Sequence, residues 1–190
     1  MEGIYTSDLG LHIVPKGAEY QHEDPWKWVL VKEVGKRFSL TTLVETGGYH
    51  GGTMEALRGD FARLVTIELG DELWGDIYAR GIPNVLCLKG DSGRVLRQFL
   101  MFLDGPALYW LDAHPSGGDS ADFTGESIIE RELRAIFDRD HAGDVVLVDD
   151  VGHPGLEDSV FLGVMSGYPG WSVRFYGEFP LRFALLTKGA

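Results

Sequence analysis

The chain alternates between two hydrophobic rhythms. Short runs rich in Val, Leu and Ile recur at residues 42–45, 64–68, 85–89, 107–112, 145–149, 172–176 and 183–187. They are apolar almost throughout, as strands buried on both faces are. Between most of them the apolar positions return every three or four residues, which is the helical period. In "ESIIERELRAIFDRD", Ile129, Leu133, Ile136 and Phe137 share one face and charges take the other. In "DPWKWVLVKEVGKRF", Asp24 is placed to cap and Pro25 to open the first turn, with Trp26, Leu30 and Val34 stacked behind them. "DSGRVLRQFLMFL" offers Asp91 or Ser92 as a cap ahead of a stripe of Val95, Leu96, Phe99 and Leu103.

Strands alternating with helices predict a doubly wound α/β fold, its sheet covered on both faces. Only "GEFPL" separates the last two strands, too little for a crossover helix, so that pair is antiparallel. The expectation is a mostly parallel seven-stranded sheet with an antiparallel last strand. Residues 1–190 read as a single domain, with 1–23, which lack a period, as an irregular arm and 24–190 as the α/β core. The Gly/Ser/Asp-rich segment 115–125 reads as a mobile loop.

Composition narrows the function. The 190 residues, 44% of them hydrophobic, suffice for one substantial core. With 29 acidic against 17 basic residues, the formal charge of −12 argues against a nucleic-acid partner. The single cysteine, Cys87 in "NVLCLKG", reads as a small buried hydrophobe. No signal segment is evident, and no apolar stretch approaches the ~18 residues of a membrane span, so a soluble, cytoplasmic protein without a membrane partner is expected.

The segment "TLVETGGYHGGT" runs from the first of the seven strands into a glycine-rich turn, the place where open α/β sheets bind ligands. Gly47 and Gly52 have phosphate-loop separation, but Thr53 follows directly and the lysine is missing. Counted from Gly47, Tyr49 stands where a dinucleotide fingerprint needs its second glycine. Glu45 would repel a pyrophosphate, yet suits a ligand carrying an ammonium and a sulfonium. The remaining strand ends are acidic too. Glu68 closes "LVTIEL", Asp91 and Ser92 follow "LCLKG", Asp112 closes "ALYWLD" two residues before His114, and "VVLVDD" ends in Asp149 and Asp150. Three aspartates at neighbouring strand ends repel one another unless a cation joins them, and an all-oxygen set suits a hard ion such as Mg²⁺. Each acid also has a plainer reading as a helix cap or a solvated strand end.

The ordered set "VETG…G.T", "IEL", "GDS", "WLDAH.SGG" and "DD" resembles the class I S-adenosylmethionine-dependent methyltransferases. Within them it is similar to metal-dependent O-methyltransferases acting on catechols and, more specifically, on sugar hydroxyls, and to bacterial methyltransferase-like proteins. The resemblance spans residues 42–150 and implies a Rossmann-like methyltransferase fold with a reversed last strand. It implies that Glu45, Thr46, Gly47, His50 and Gly51 hold the methionine end of S-adenosyl-L-methionine, Glu68 the ribose, and Asp91 with Ser92 the adenine. Asp112 would face both cofactor and acceptor, Asp112, Asp149 and Asp150 would bind Mg²⁺, and His114 would act as general base, with His153 as a second candidate. The expected reaction is O-methylation of a small-molecule acceptor. The alternative is a cofactor-binding sensor or partner subunit without transferase activity. Tyr5 and Tyr20 in the arm would stack on an acceptor, pack in the core or form a homodimer contact.

Overall fold

The computed structural model describes residues 4–6, 11–13, 25–113, 127–178 and 182–189. Strands β1 (Ile4–Thr6) and β2 (Leu11–Ile13) pair antiparallel, so the arm expected to be irregular contains a short ladder. Three residues per strand is too short for an alternating pattern to declare itself. β2 lies beside helix α1 (Pro25–Arg37), which opens on the expected proline. Then follow β3 (Thr42–Thr46), α2 (Gly52–Leu57), β4 (Arg63–Glu68), α3 (Asp71–Ala79), β5 (Val85–Lys89) and α4 (Ser92–Phe99). The rest of the chain supplies β6 (Leu108–Leu111), α5 (Ile128–Arg139), β7 (Val145–Val148), α6 (Asp158–Met165), β8 (Trp171–Tyr176) and β9 (Phe183–Lys188).

Strands β3 to β9 form one seven-stranded sheet in the order β5-β4-β3-β6-β7-β9-β8. β3 to β7 pair in parallel, while β9 runs antiparallel to both β7 and β8. The expected doubly wound architecture, with its last strand reversed, is therefore present. Strand order turns back between β3 and β6, the switch point at which a crevice opens beyond the carboxyl ends.

Side chains divide by the two-residue period of the strands. Val44, Tyr109, Leu111, Val146 and Val148 face the layer of α4, α5 and α6. Leu43, Leu108, Trp110, Val145 and Leu147 face α1 and α2. α5 starts on a full capping box, Ser127 accepting from the Glu130 amide while Glu130 accepts from that of Ser127. No helix among the described residues is long and apolar enough to cross a membrane.

Candidate active site

The turn after β3 is held by its own backbone. The amides of Gly47 and Gly48 donate to the Ile67 carbonyl, that of Gly51 donates to the Gly48 carbonyl, and that of Tyr49 to Glu68 Oε2 at 2.8 Å. Four amides that the sequence offered to a ligand are thus engaged within the protein. The glycines are required by space as much as by conformation. Gly47 has φ +79°, and a Cβ there would lie 2.7 Å from the Asp112 carbonyl oxygen, while one on Gly48 would lie 2.4 Å from Thr66 Oγ1. Tyr49 adopts φ 45° without being glycine, as does Asp150 at 51°, so both ends of the crevice carry constrained backbone.

Glu45 lies beneath this turn rather than at its mouth. It is only 2% exposed and accepts from Thr66 Oγ1 at 2.7 Å. Burial pushes its carboxyl up to about 7, the Thr66 and Thr53 hydroxyls oppose the shift, and the neighbouring Glu68 adds to it. Its contacts are with the scaffold of the turn. His50 stands exposed on the turn, its ring edge-on to that of Tyr49 at 4.1 Å.

Glu68, at the end of β4, is fixed at both oxygens. Oε2 takes the Tyr49 amide and Oε1 takes that of Gly70 at 2.6 Å. A carboxylate has about four lone-pair positions, so two remain for a vicinal diol. The next residue, Leu69, is 60% exposed, an apolar surface directly beside that carboxylate which the sequence reading missed.

Asp91 takes the capping role that the sequence also allowed it. It caps α4 by accepting from the Arg94 amide at 3.0 Å and takes a bidentate pair from Arg131 at 2.9 and 3.2 Å. Ser92 is buried, and its hydroxyl bonds the Glu132 carboxyl. Glu132, 1% exposed, also faces Thr46 and lines a cavity of about 60 Å³ with Leu111, Ala113 and Leu156. Burial pushes its carboxyl up to about 8 against the Ser92 and Thr46 hydroxyls.

Asp112, Asp149 and Asp150 do come together. Each offers an oxygen, and the three lie within 4.8 Å of one another. Around a hexacoordinate Mg²⁺ with bonds of about 2.1 Å, ligand oxygens are about 3 to 4.2 Å apart, so the donor set fits after a small contraction. Lys27 of α1 enters the same cluster. Its ammonium contacts Asp149 Oδ2, with side-chain exposures of 7% and 1%. Burial opposes its charge, but Asp149, Asp112 and Asp150 outweigh that, and its pKa is raised. A cation was expected here; the sequence reading did not see that the chain brings one of its own.

His114, Tyr20 and the 115–125 loop lie outside the described residues, as does the side chain of Tyr5. The His153 amide closes a turn onto the Asp150 carbonyl at 3.2 Å. Cys87, expected to be buried, is half-buried, and burial, then Glu68 and Glu45, pushes its thiol up to about 11.

No protein-family model matches the chain, and no curated protein matches it in sequence. The fold, by contrast, has many solved relatives. The O-methyltransferase TomG from Streptomyces achromogenes, involved in tomaymycin synthesis and solved in complex with SAM, superposes with a TM-score of 0.62 at 18% identity, over 86% of this chain and 80% of its own. The SAH-bound methyltransferase PaMTH1 from Podospora anserina gives 0.63 at 17% identity, over 87% and 79%. An O-methyltransferase from Bacillus cereus in complex with SAH gives 0.63 at 14%, over 88% and 84%. The chain has the fold of the class I S-adenosylmethionine-dependent methyltransferases, with O-methyltransferases among its structural neighbours.

Proposed function

We propose that this protein is an S-adenosylmethionine-dependent methyltransferase that methylates a hydroxyl of a small acceptor, with a divalent metal at Asp112, Asp149 and Asp150. The observation that carries the reading is Glu68. Its two oxygens are pinned by the amides of Tyr49 and Gly70 beside the switch point, leaving lone pairs for the two ribose hydroxyls. Structural neighbours solved with SAM or SAH support the cofactor.

In this reading Glu68 holds the ribose and Leu69 covers one face of the adenine. The Gly47–Gly51 turn, with Thr46 and His50 at its two ends, supports the methionine end by shape. Glu45 sets that shape from below. Asp91 and Ser92 act on the adenine through the start of α4, which Arg131 and Glu132 hold in place.

Transfer breaks the sulfonium–methyl bond and forms an oxygen–methyl bond in one in-line displacement. The electron pair returns to sulfur, the acceptor proton goes to a base, and the protein contributes mainly alignment. His114 is the base assigned by position after β6. A bound metal would supply Lewis acidity that lowers the pKa of the acceptor hydroxyl.

Calorimetric titration with S-adenosylhomocysteine, with Mg²⁺ and again in EDTA, tests the reading. Micromolar binding that Glu68→Ala removes is expected. No binding under either condition overturns it.

A further inference from the structure

Of the groups in the aspartate cluster, Lys27 is the one that no strand end supplies. It belongs to the buried face of α1, with Leu30, Val31 and Val34, and it reaches the end of β7 as a buried ammonium against Asp149. The carboxylate it meets is one of a cluster of three, so the ammonium bears on the whole acidic group and not on Asp149 alone.

We propose that Lys27 is a resident counter-cation that weakens the hold of the aspartate cluster on a divalent metal ion and so keeps that ion exchangeable. The inference rests on the metal reading given above. Two physical effects point the same way. The ammonium engages Asp149 Oδ2, so a metal either uses the other oxygen or shares this one with the lysine. It also places a fixed positive charge a few ångströms from a dication in surroundings shielded from water, where such repulsion changes affinity by about tenfold or more. Without metal, the lysine keeps three close carboxylates from facing one another uncompensated. The cluster can therefore fold empty and load later.

The test is Mn²⁺ binding, read by calorimetry and by the electron paramagnetic resonance of free Mn²⁺, on the full chain and on Lys27→Met. Circular dichroism and S-adenosylhomocysteine affinity serve as controls for the fold. Lys27→Met is expected to bind Mn²⁺ at least about tenfold more tightly. Its melting temperature, lowered in EDTA, is expected to rise more on adding Mn²⁺ than that of the unaltered protein. Lys27→Arg, which keeps the charge, is expected to retain the weaker affinity. Where Lys27→Met does not fold, Lys27→Gln makes the same comparison with a neutral side chain that can still donate to Asp149. Equal or weaker Mn²⁺ binding in the neutral variants, with binding intact in the unaltered protein, overturns the role of Lys27 and leaves the metal reading standing. Absence of Mn²⁺ binding in all variants overturns both, and the S-adenosylhomocysteine titration then decides separately whether the methyltransferase reading survives.

Discussion

Strand β7 has a buried acid at each end, and the two ends are built on opposite principles. Asp144, just before the strand, is saturated. It accepts from the Ala107 amide at 2.9 Å, from the Tyr109 hydroxyl at 3.3 Å and from Arg139 Nη1 at 2.8 and 2.7 Å. Arg139 spends its other nitrogen on the carbonyls of Leu103 and Gly105 at 2.8 and 2.5 Å. One guanidinium matches one carboxylate. At the far end, Asp149 joins Asp112 and Asp150 in a cluster that the Lys27 ammonium enters. The first arrangement closes a structure, and the second, on the reading proposed above, is a binding site.

That contrast can be broken by experiment. Asp144→Ala leaves Arg139 buried without its partner and is expected to cost about 3–5 kcal/mol of stability, by denaturant titration, without changing S-adenosylhomocysteine affinity in the folded protein. Replacing Asp149 and Asp150 together by asparagine has the converse signature. Asparagine tolerates the left-handed backbone at position 150, its carbonyl still accepts from Lys27 and Asp112 remains as counter-charge, so the fold and cofactor affinity persist, while methyl transfer to a hydroxylated acceptor falls about a thousandfold, or roughly 4 kcal/mol. Should the stability of this double variant collapse instead, the two ends of β7 are alike after all. Glu68→Ala is expected to weaken S-adenosylhomocysteine binding about a hundredfold, near 2.7 kcal/mol, because two charged hydrogen bonds to the ribose are lost.

The smallest effect concerns pH. Glu132 has its carboxyl raised from 4.5 to about 8 by burial, and Glu45 is raised to about 7. The folded protein therefore keeps protons that the unfolded chain releases. Stability from these groups is complete below the unfolded value of 4.5 and is lost as pH climbs through about 7 and 8, by at most about 1.4 kcal/mol per pH unit for each group. Melting temperatures between pH 5 and 9 should fall for the unaltered chain and fall less steeply for Glu132→Gln. A flat profile in both would show that these carboxyls are charged in the fold.

How much of this was legible beforehand depended on distance along the chain. Strand ends could be read because an apolar run that stops at an acid marks its own carboxyl end, and this located Glu45, Glu68, Asp112 and Asp149. Direction could not be read, and Glu45 turns under the turn while Glu68 meets it. The partner of Asp91 lies 40 residues away at Arg131, so its cap and its salt bridge were separable only in three dimensions. Lys27 and Glu132 did leave a signal. Lys27 precedes Leu30 and Val31, and Glu132 falls between Ile129 and Ile136, each a charge inside the buried stripe of its helix. A charge in such a stripe has to meet a counter-charge or a polar partner in the core. Sequence periodicity marks the misfit without saying what it meets.

The ion pair of Lys27 also sets an order of events. The lysine is made early, on the helix before β3, and its partners emerge only after β6 and β7 have been synthesised. The pair is thus among the longest-range contacts of the chain and is expected to form late, after the parallel strands have found their places. A nascent chain that has packed α1 against β3 and β4 holds a lysine with no carboxylate yet beside it. Folding brings the lysine to its carboxylates, and the candidate site together, in its last steps.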